Sequence, residues 1–440
     1  MTSIMVIGTG YVGLVSGACM ADFGNRVVCY DIDKDKIAAL KGGAIPFYEP
    51  GLAELVERNR AAGRLSFSTD LAGCIENSMV VFIAVGTPEG EGGEADLRAV
   101  FGVAEEIGRH LDGYHVVVQK STVPVGTNRK VAAIIREAAG PDARFDMVSN
   151  PEFLREGSAI ADFLRPNRVI MGVESERARE LMREIYRPLF LNETPILFTG
   201  IESAEMIKYA SNAFLAVKIS YINEIAELCE TMGADVQVVA RGMGLDGRIG
   251  SKFLHAGAGF GGSCFPKDTK ALVTMADEQS AAMGVVRAAI AANERQPDRA
   301  VAKLEALAGG DIAGMRVAVL GLSFKPNTDD VREAASLKII RRLREKGARE
   351  RAFDPVAGAN AKRVLPDLDL AAGTYECLDG ADALIIVTEW NEFRVLDLKR
   401  VASLLKRPLV VDCRNIFNAR IMADAGLRYA SYGQIGEEDR

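Results

Sequence analysis

Ile4-Met-Val-Ile7-Gly8-Thr9-Gly10-Tyr11-Val12-Gly13 is the stretch that decides the fold of this 440-residue chain. An apolar run ends in three glycines and opens an apolar helical stretch, the strand, turn and helix of a dinucleotide-binding lobe. Gly8 permits the tight turn, Gly10 lets a pyrophosphate approach the backbone, and Gly13 allows close helix packing, with the helix N-terminus facing the phosphates. Asp31 follows 18 residues past Gly13, at the end of the next apolar run. A carboxylate there binds ribose hydroxyls and repels a 2′-phosphate, so NAD is expected over NADP. Arg26, Lys34 and Lys36 lie nearby and pull the other way; Asp33 reads as a solvated loop charge.

Outward from that turn, apolar runs alternate with helical stretches: Ile4 to Ile7, Arg26 to Tyr30, Met79 to Val85, His115 to Gln119 and Phe145 to Val148. Such runs separated by helices predict a parallel sheet covered on both faces, occupying residues 1–200. From Ser203 to Met232 there is no Gly or Pro, and Ile207, Ala210, Phe214, Val217, Tyr221, Ile225 and Leu228 recur at spacings of three and four. The spacing predicts a helix of about 45 Å that Gly233 can terminate, within a central region at 201–305. In 306–440 the rhythm resumes, with Arg316 to Leu320, Ala383 to Val387 and Leu409 to Asp412 as buried strands and Ser336 to Lys346 as a helix. The fold class is therefore α/β: two Rossmann-like doubly wound parallel-sheet domains joined by a central long-helix region. Two lobes suggest two nucleotides; one dinucleotide lobe plus a structural lobe is the alternative.

Composition narrows the partners. A net charge of −7 without a basic block argues against nucleic acid or a membrane surface. No signal-peptide core or run of about 20 apolar residues is visible, so the chain is expected to be cytoplasmic. Seven scattered cysteines without a CxxC pair fit free thiols, and three histidines without a ligand pattern predict no metal. The short tail after Gly433 carries no visible regulatory extension.

Six cysteines lie in apolar runs, but Cys264 stands in Gly257-Ala-Gly-Phe-Gly-Gly-Ser-Cys-Phe-Pro-Lys-Asp268. Pro266 suits a helix first turn, so the thiol is expected at a helix N-terminus, its pKa lowered there and by Lys267. Asp268, one turn on, would act as a general base or orient one. The small flanking residues read as an open loop rather than a packed core. Gly86-Thr87-Pro88 and Ser121-Thr122-Val-Pro-Val-Gly126 put hydroxyls at the ligand edge of the first sheet, with turn punctuation as the plain alternative. In Asn150-Pro-Glu152-Phe-Leu-Arg-Glu156-Gly157, two carboxylates four apart would share a face if helical; one could polarise water, although a solvated pair is the commoner meaning. Lys208 and Asn212 sit four apart, off the main apolar stripe of the long helix. They could hold a developing oxyanion and orient a water, or simply be exposed.

A dehydrogenase has use for a thiol when an alcohol goes to a carboxylate. The first hydride leaves an aldehyde, which has no hydride-donating sp³ carbon until a nucleophile adds. The thiohemiacetal delivers a second hydride, and water cleaves the resulting thioester.

With these residues on the page the chain resembles the UDP-glucose/GDP-mannose 6-dehydrogenase family over nearly its whole length. The matching pieces are Gly8 to Gly13, Tyr48-Glu-Pro-Gly-Leu52, Gly86-Thr-Pro88, Ser121 to Thr127, Asn150 to Gly157, Lys208-Tyr-Ala-Ser-Asn212, Gly259 to Asp268, and Gly321-Leu-Ser-Phe-Lys-Pro326 with Arg332. The resemblance implies an N-terminal NAD domain, a central dimerisation region and a C-terminal UDP-sugar domain. By it Cys264 is the nucleophile, Lys208 stabilises oxyanions, Asn212 and Asp268 position the hydroxyl or water, Glu152 assists thioester hydrolysis, and Thr122 positions water or cofactor. NAD would be met by Gly8, Gly10, Tyr11, Val12, Gly13 and Asp31. Lys36, Thr87, Thr122, Glu156, Lys267 and Arg332 would complete that set. The sugar nucleotide would be met by Glu152, Phe153, Leu154, Glu156, Lys208 and Asn212, with Phe253, His255, Gly261 and Lys325 shaping its site. Arg248 would reach the substrate of a neighbouring subunit, implying a homodimer or higher oligomer. Phe253-Leu-His-Ala-Gly257 looks like the UDP-glucose branch, with His255 where some relatives carry lysine; GDP-mannose or a UDP-amino sugar is the alternative. Glu89-Gly-Glu-Gly-Gly-Glu94 departs from the family turn and reads as a flexible surface loop. A two-electron hydroxy-acid dehydrogenase and an NAD-responsive scaffold are the competing readings; neither needs Cys264.

Overall fold

The computed structural model describes residues 1–434, so most of the tail after Gly433 lies outside the described residues. The chain forms two compact units, Met1–Ser211 and residues from Asn212 onward.

The first unit is built on eight strands: β1 (Ser3–Ile7), β2 (Arg26–Tyr30), β3 (Leu65–Ser68), β4 (Val80–Ile83), β5 (Tyr114–Gln119), β6 (Arg144–Ser149), β7 (Val169–Val173) and β8 (Ile196–Thr199). Their order is β3-β2-β1-β4-β5-β6-β7-β8, parallel throughout except between β6 and β7. Successive residues point to opposite faces, and both faces are covered. Ile4, Val6, Val80 and Phe82 enter one core, Met5, Ile7, Val81 and Ile83 the other. The order reverses between β1 and β4, which opens a crevice at their carboxyl ends beside Gly8.

The second unit carries a five-stranded, all-parallel sheet in the order β10-β9-β11-β12-β13. Its strands are β9 (Arg316–Leu320), β10 (Arg349–Phe353), β11 (Ala383–Ile386), β12 (Leu409–Asp412) and β13 (Arg428–Ser431). Its switch point lies between β9 and β11. Gly321 follows β9 at φ +93°, where a Cβ would lie 2.4 Å from Thr388 Cβ, so only glycine fits that turn. Ile222, Ala226, Val236, Ala300 and Leu304 share one core with Val317, Val319, Ile385 and Val411 of this sheet.

The long helix spans Ile201–Met232, beginning in the first unit and ending in the second. It is helical throughout, as the spacing predicts, and its apolar stripe is not the side that turns inward. Phe214, Tyr221 and Leu228 of the apolar stripe are 64, 48 and 52 % exposed, while Lys208 and Asn212, off that stripe, are 3 and 7 % exposed. Tyr209, Ala213, Ala216 and Ile222 supply the apolar contacts of the buried face. Glu89 to Glu94 is also tighter than a flexible loop: Glu89 and Ala95 form an antiparallel bridge, and the Gly90 N–H donates to the Glu94 carbonyl at 2.7 Å. Among the described residues no helix is long and apolar enough to cross a membrane.

Candidate active site

In the first unit, β1 runs into Gly8 at φ +99°, where a Cβ would lie 2.7 Å from the Ala84 carbonyl oxygen. A Cβ on Gly13 would stand 1.9 Å from the Gly8 carbonyl, whereas one on Gly10 meets nothing within 4 Å. Two glycines thus close the turn, and the third leaves space over the start of the helix Tyr11–Asp22, whose first amides have no partner within the helix. Asp31 Oδ2 accepts from the Thr9 N–H (2.8 Å), the Thr9 hydroxyl (2.7 Å) and Lys36 Nζ (3.0 Å). Burial would raise the Asp31 pKa, but these donors and the Asp33 N–H outweigh it, and the carboxyl is held below its ordinary value. Lys36, one of the cations that left NADP in play, is therefore committed to Asp31. The cradle and this ionised carboxylate fit NAD. The Thr87 hydroxyl donates to the Thr122 carbonyl at 2.9 Å, joining the loops after β4 and β5 at the same sheet edge.

Beside it lies a buried ion pair. Lys208 Nζ donates to Glu152 Oε1 at 2.8 Å and to the Glu152 carbonyl at 2.7 Å, and Glu152 Oε2 accepts the Leu154 N–H at 2.5 Å. Burial alone would raise the Glu152 pKa; Lys208, the Leu154 N–H and Lys120 together overcome that and lower it. The segment 150–157 is not helical, so Glu152 and Glu156 do not share a helix face as their spacing allowed. Pro151 and the side-chain anchors of this loop favour an irregular path. Glu152 is buried, Glu156 is half-buried, and the Phe153 ring lies under Arg168 at 3.7 Å.

Two residues here escaped the sequence reading. Lys120 is 4 % exposed, with Nζ at 3.2 Å from Asn150 Oδ1, an oxygen that also accepts from the Tyr186 hydroxyl at 2.7 Å. Burial pulls the Lys120 pKa down to about 8, Glu152 opposing and Lys208 assisting. Glu205 accepts from the N–H groups of Gly126 (2.7 Å) and Asn128 (2.9 Å), fixing the start of the helix Thr127–Ala139 and the loop that carries Thr122. Lys120 had one legible signal, its place directly after the apolar run of β5, at the ligand edge.

In the second unit, Cys264 immediately precedes the helix Phe265–Glu278, with Pro266 in the first turn. Its sulfur is 3.6 Å from the Ser263 hydroxyl. The other six cysteines are buried, and burial pushes the thiols of Cys29, Cys377 and Cys413 up to about 12. Asp268 is 1 % exposed; its Oδ2 accepts from Asn212 Nδ2 at 2.6 Å and its Oδ1 from Lys267 Nζ at 2.8 Å. Lys267 thus neutralises Asp268 directly.

The glycines ahead of Cys264 are packed, contrary to the open loop their small size suggested. A Cβ on Gly259 would lie 2.4 Å from Asn293 Oδ1, one on Gly261 2.3 Å from the Glu333 carbonyl, and one on Gly262 2.7 Å from the Phe324 ring. Nothing larger fits, and Asn293 pins the loop by accepting from the Phe260 N–H and donating to its carbonyl. The Gly262 N–H donates to the Arg332 carbonyl at 2.9 Å, setting the segment that carries Lys325 and Arg332 beside the loop. Phe253 sits at φ +65°, a left-handed conformation costly for an aromatic residue, its ring 6.1 Å from Phe265. His255 and Arg248 are both exposed, and Arg248 pairs with Asp246.

Three family descriptions match the chain in order: the NAD binding domain of the UDP-glucose/GDP-mannose dehydrogenase family at residues 2–190, its central domain at 202–295, and its UDP binding domain at 318–419. A UDP-glucose 6-dehydrogenase of Rhizobium meliloti (strain 1021) is 55% identical over 434 residues, 98% of this chain and 99% of that protein. The Bacillus subtilis (strain 168) UDP-glucose 6-dehydrogenase TuaD is 50% identical, covering 99% of this chain and 94% of that one. The solved structure of a UDP-glucose dehydrogenase from the hyperthermophilic archaeon Pyrobaculum islandicum superposes with a TM-score of 0.90 at 41% identity, covering 96% of each chain. The chain belongs to the UDP-glucose/GDP-mannose dehydrogenase family; it is an NAD-dependent oxidoreductase.

Proposed function

Taking that membership as the premise, we propose that the chain oxidises C6 of UDP-glucose to the carboxylate in two steps, forming UDP-glucuronate and two NADH from one sugar nucleotide, two NAD and one water. The observation that carries the reading is Cys264 at the head of the helix whose first turn holds Asp268, itself bonded to Asn212. The names of the relatives at 55 and 50% identity support UDP-glucose as the substrate. NAD, when bound, supplies the two-electron acceptor for each oxidation. Asp268 receives the C6 hydroxyl proton as the first hydride leaves. The Cys264 thiolate then adds to the aldehyde carbon, forming a C–S bond and an oxyanion that Lys208 stabilises. The oxyanion collapses with loss of the second hydride to a thioester. Water positioned by Asn212 and Glu152 adds to it, and the C–S bond breaks to return the thiolate. Thr122, Glu156, Lys267 and Arg332 belong to the cofactor side of this reading, and Phe153, Leu154, Phe253, His255, Gly261 and Lys325 to the sugar-nucleotide side.

The division 1–200, 201–305 and 306–440 is part of the same proposal, as is a cytoplasmic setting. So is a homodimer in which a second copy covers the exposed Phe214, Tyr221 and Leu228 face and receives Arg248. The test is NADH formed per limiting UDP-glucose at full conversion, with the product identified by mass. Two equivalents with UDP-glucuronate support the reading. One equivalent with an accumulating aldehyde removes Cys264 from it, and turnover only with GDP-mannose or a UDP-amino sugar replaces the substrate.

A further inference from the structure

Tyr48-Glu49-Pro-Gly-Leu52 has no part in the chemistry above, yet Glu49 is only 6 % exposed and its two oxygens take three donors. Gly51, at φ +80°, turns the chain into the helix Leu52–Ala61, and Leu52 is fully buried, so the Glu49 side chain is held inward. Its Oε2 accepts from the Tyr11 hydroxyl and from the Gly157 N–H, each at 2.5 Å, and its Oε1 accepts the Ala159 N–H at 2.8 Å. Tyr11 is the first residue of the helix that receives the dinucleotide, and its hydroxyl also lies 3.2 Å from the Arg155 carbonyl. Gly157 and Ala159 end the loop that starts at Glu152.

One carboxylate therefore ties the cofactor turn to the segment carrying Glu152, Phe153, Leu154 and Glu156. We propose that Glu49 is a positioning residue through which NAD binding orders the 152–159 loop, so that the loop is set for the sugar nucleotide once cofactor is in place. The physical basis is shared acceptors. Fixing the Gly10–Tyr11 turn fixes the Tyr11 hydroxyl, which narrows the positions open to the Glu49 carboxylate and so to the two amides it holds. Glutamine keeps the shape of Glu49 but turns one acceptor into an NH₂, leaving at least one of the three donors facing another donor.

The test is amide hydrogen exchange on the intact protein with and without saturating NAD, resolved over the peptides spanning 8–22 and 152–164, in wild type, Tyr11→Phe and Glu49→Gln. NAD is expected to slow exchange in both peptides of the wild type. In Tyr11→Phe, which keeps the ring packed against Phe47, NAD is raised until protection of 8–22 matches the wild type, and at that occupancy its effect on 152–164 should be smaller by about tenfold. Glu49→Gln should speed exchange at Gly157 and Ala159 even without cofactor. Should that variant fail to fold, Tyr11→Phe decides alone. Equal NAD protection of 152–164 in wild type and Tyr11→Phe overturns the proposal, as does a wild type whose 152–164 segment does not respond to NAD. The readout needs no sugar nucleotide, so it stands apart from the choice of UDP-glucose.

Discussion

Lys208 and Glu152 form an ion pair of 2.8 Å with both side chains about 95 % out of solvent, and the same ammonium also holds the Glu152 backbone carbonyl. Removing one partner leaves the other charge buried. Lys208→Met should destabilise the protein by about 3–5 kcal/mol in urea titration at pH 7, and Glu152→Gln by less, since the amide oxygen can still accept from Lys208. Because the folded Glu152 pKa is depressed, the stabilisation from this group is present above its unfolded pKa and disappears as pH falls through the folded value. The wild type should therefore lose stability toward acid more steeply than Glu152→Gln.

Lys120 makes the opposite prediction at high pH. Its folded pKa, near 8 against 10.5, means the unfolded chain binds the extra proton between those values. The cost of burying the ammonium is complete below pH 8 and relieved as pH rises, a contribution of about 3 kcal/mol. Denaturation at pH 7 and pH 10 should show Lys120→Met lacking this relief relative to wild type.

Native protein treated with iodoacetamide should be labelled first at Cys264, as read by peptide mass, because the other six thiols are buried. UDP-glucose should slow that labelling. Cys264→Ser should lower acid formation at least about a thousandfold; near-normal UDP-glucuronate from the variant would contradict the thioester route.

Gly10→Ala and Gly13→Ala should separate cofactor binding from folding. The first meets no atom and should melt with the parent, yet weaken NAD by at least about tenfold in titration calorimetry. The second drives a methyl to 1.9 Å from the Gly8 carbonyl and should cost about 3 kcal/mol or prevent folding.

Tyr221→Arg places a charge on the exposed apolar face of the long helix and should reduce the mass measured by light scattering to that of one chain. An unchanged mass would place the subunit contact elsewhere.

The strands that were legible, β1, β2, β4, β5, β6, β9, β11 and β12, are short apolar runs; β7 was not, although all five of its residues are buried. Among the edge strands, β3, β10 and β13, Leu-Ser-Phe-Ser, Arg-Glu-Arg-Ala-Phe and Arg-Tyr-Ala-Ser, carry polar residues because one side meets solvent, so no apolar run marks them. The glycine turn, Asp31 and the cysteine loop declare themselves by local spacing. Lys120, Glu49 and Glu205 do not, because each is defined by partners 30 to 110 positions away. On the long helix the exposed face is as apolar as the buried one, so periodicity alone does not say which turns inward.

On that helix Glu205, Lys208 and Asn212 fall at spacings of three and four, one polar stripe in which each side chain holds a different piece of chain: the amides of Gly126 and Asn128, Glu152, and Asp268. A single inserted or deleted residue between 205 and 212 would swing the downstream member by about 100° and break the alignment, however mild the residue itself. Lineages of this protein should accumulate substitutions along the helix and length changes outside it, so that the segment behaves as a fixed-length ruler in evolution.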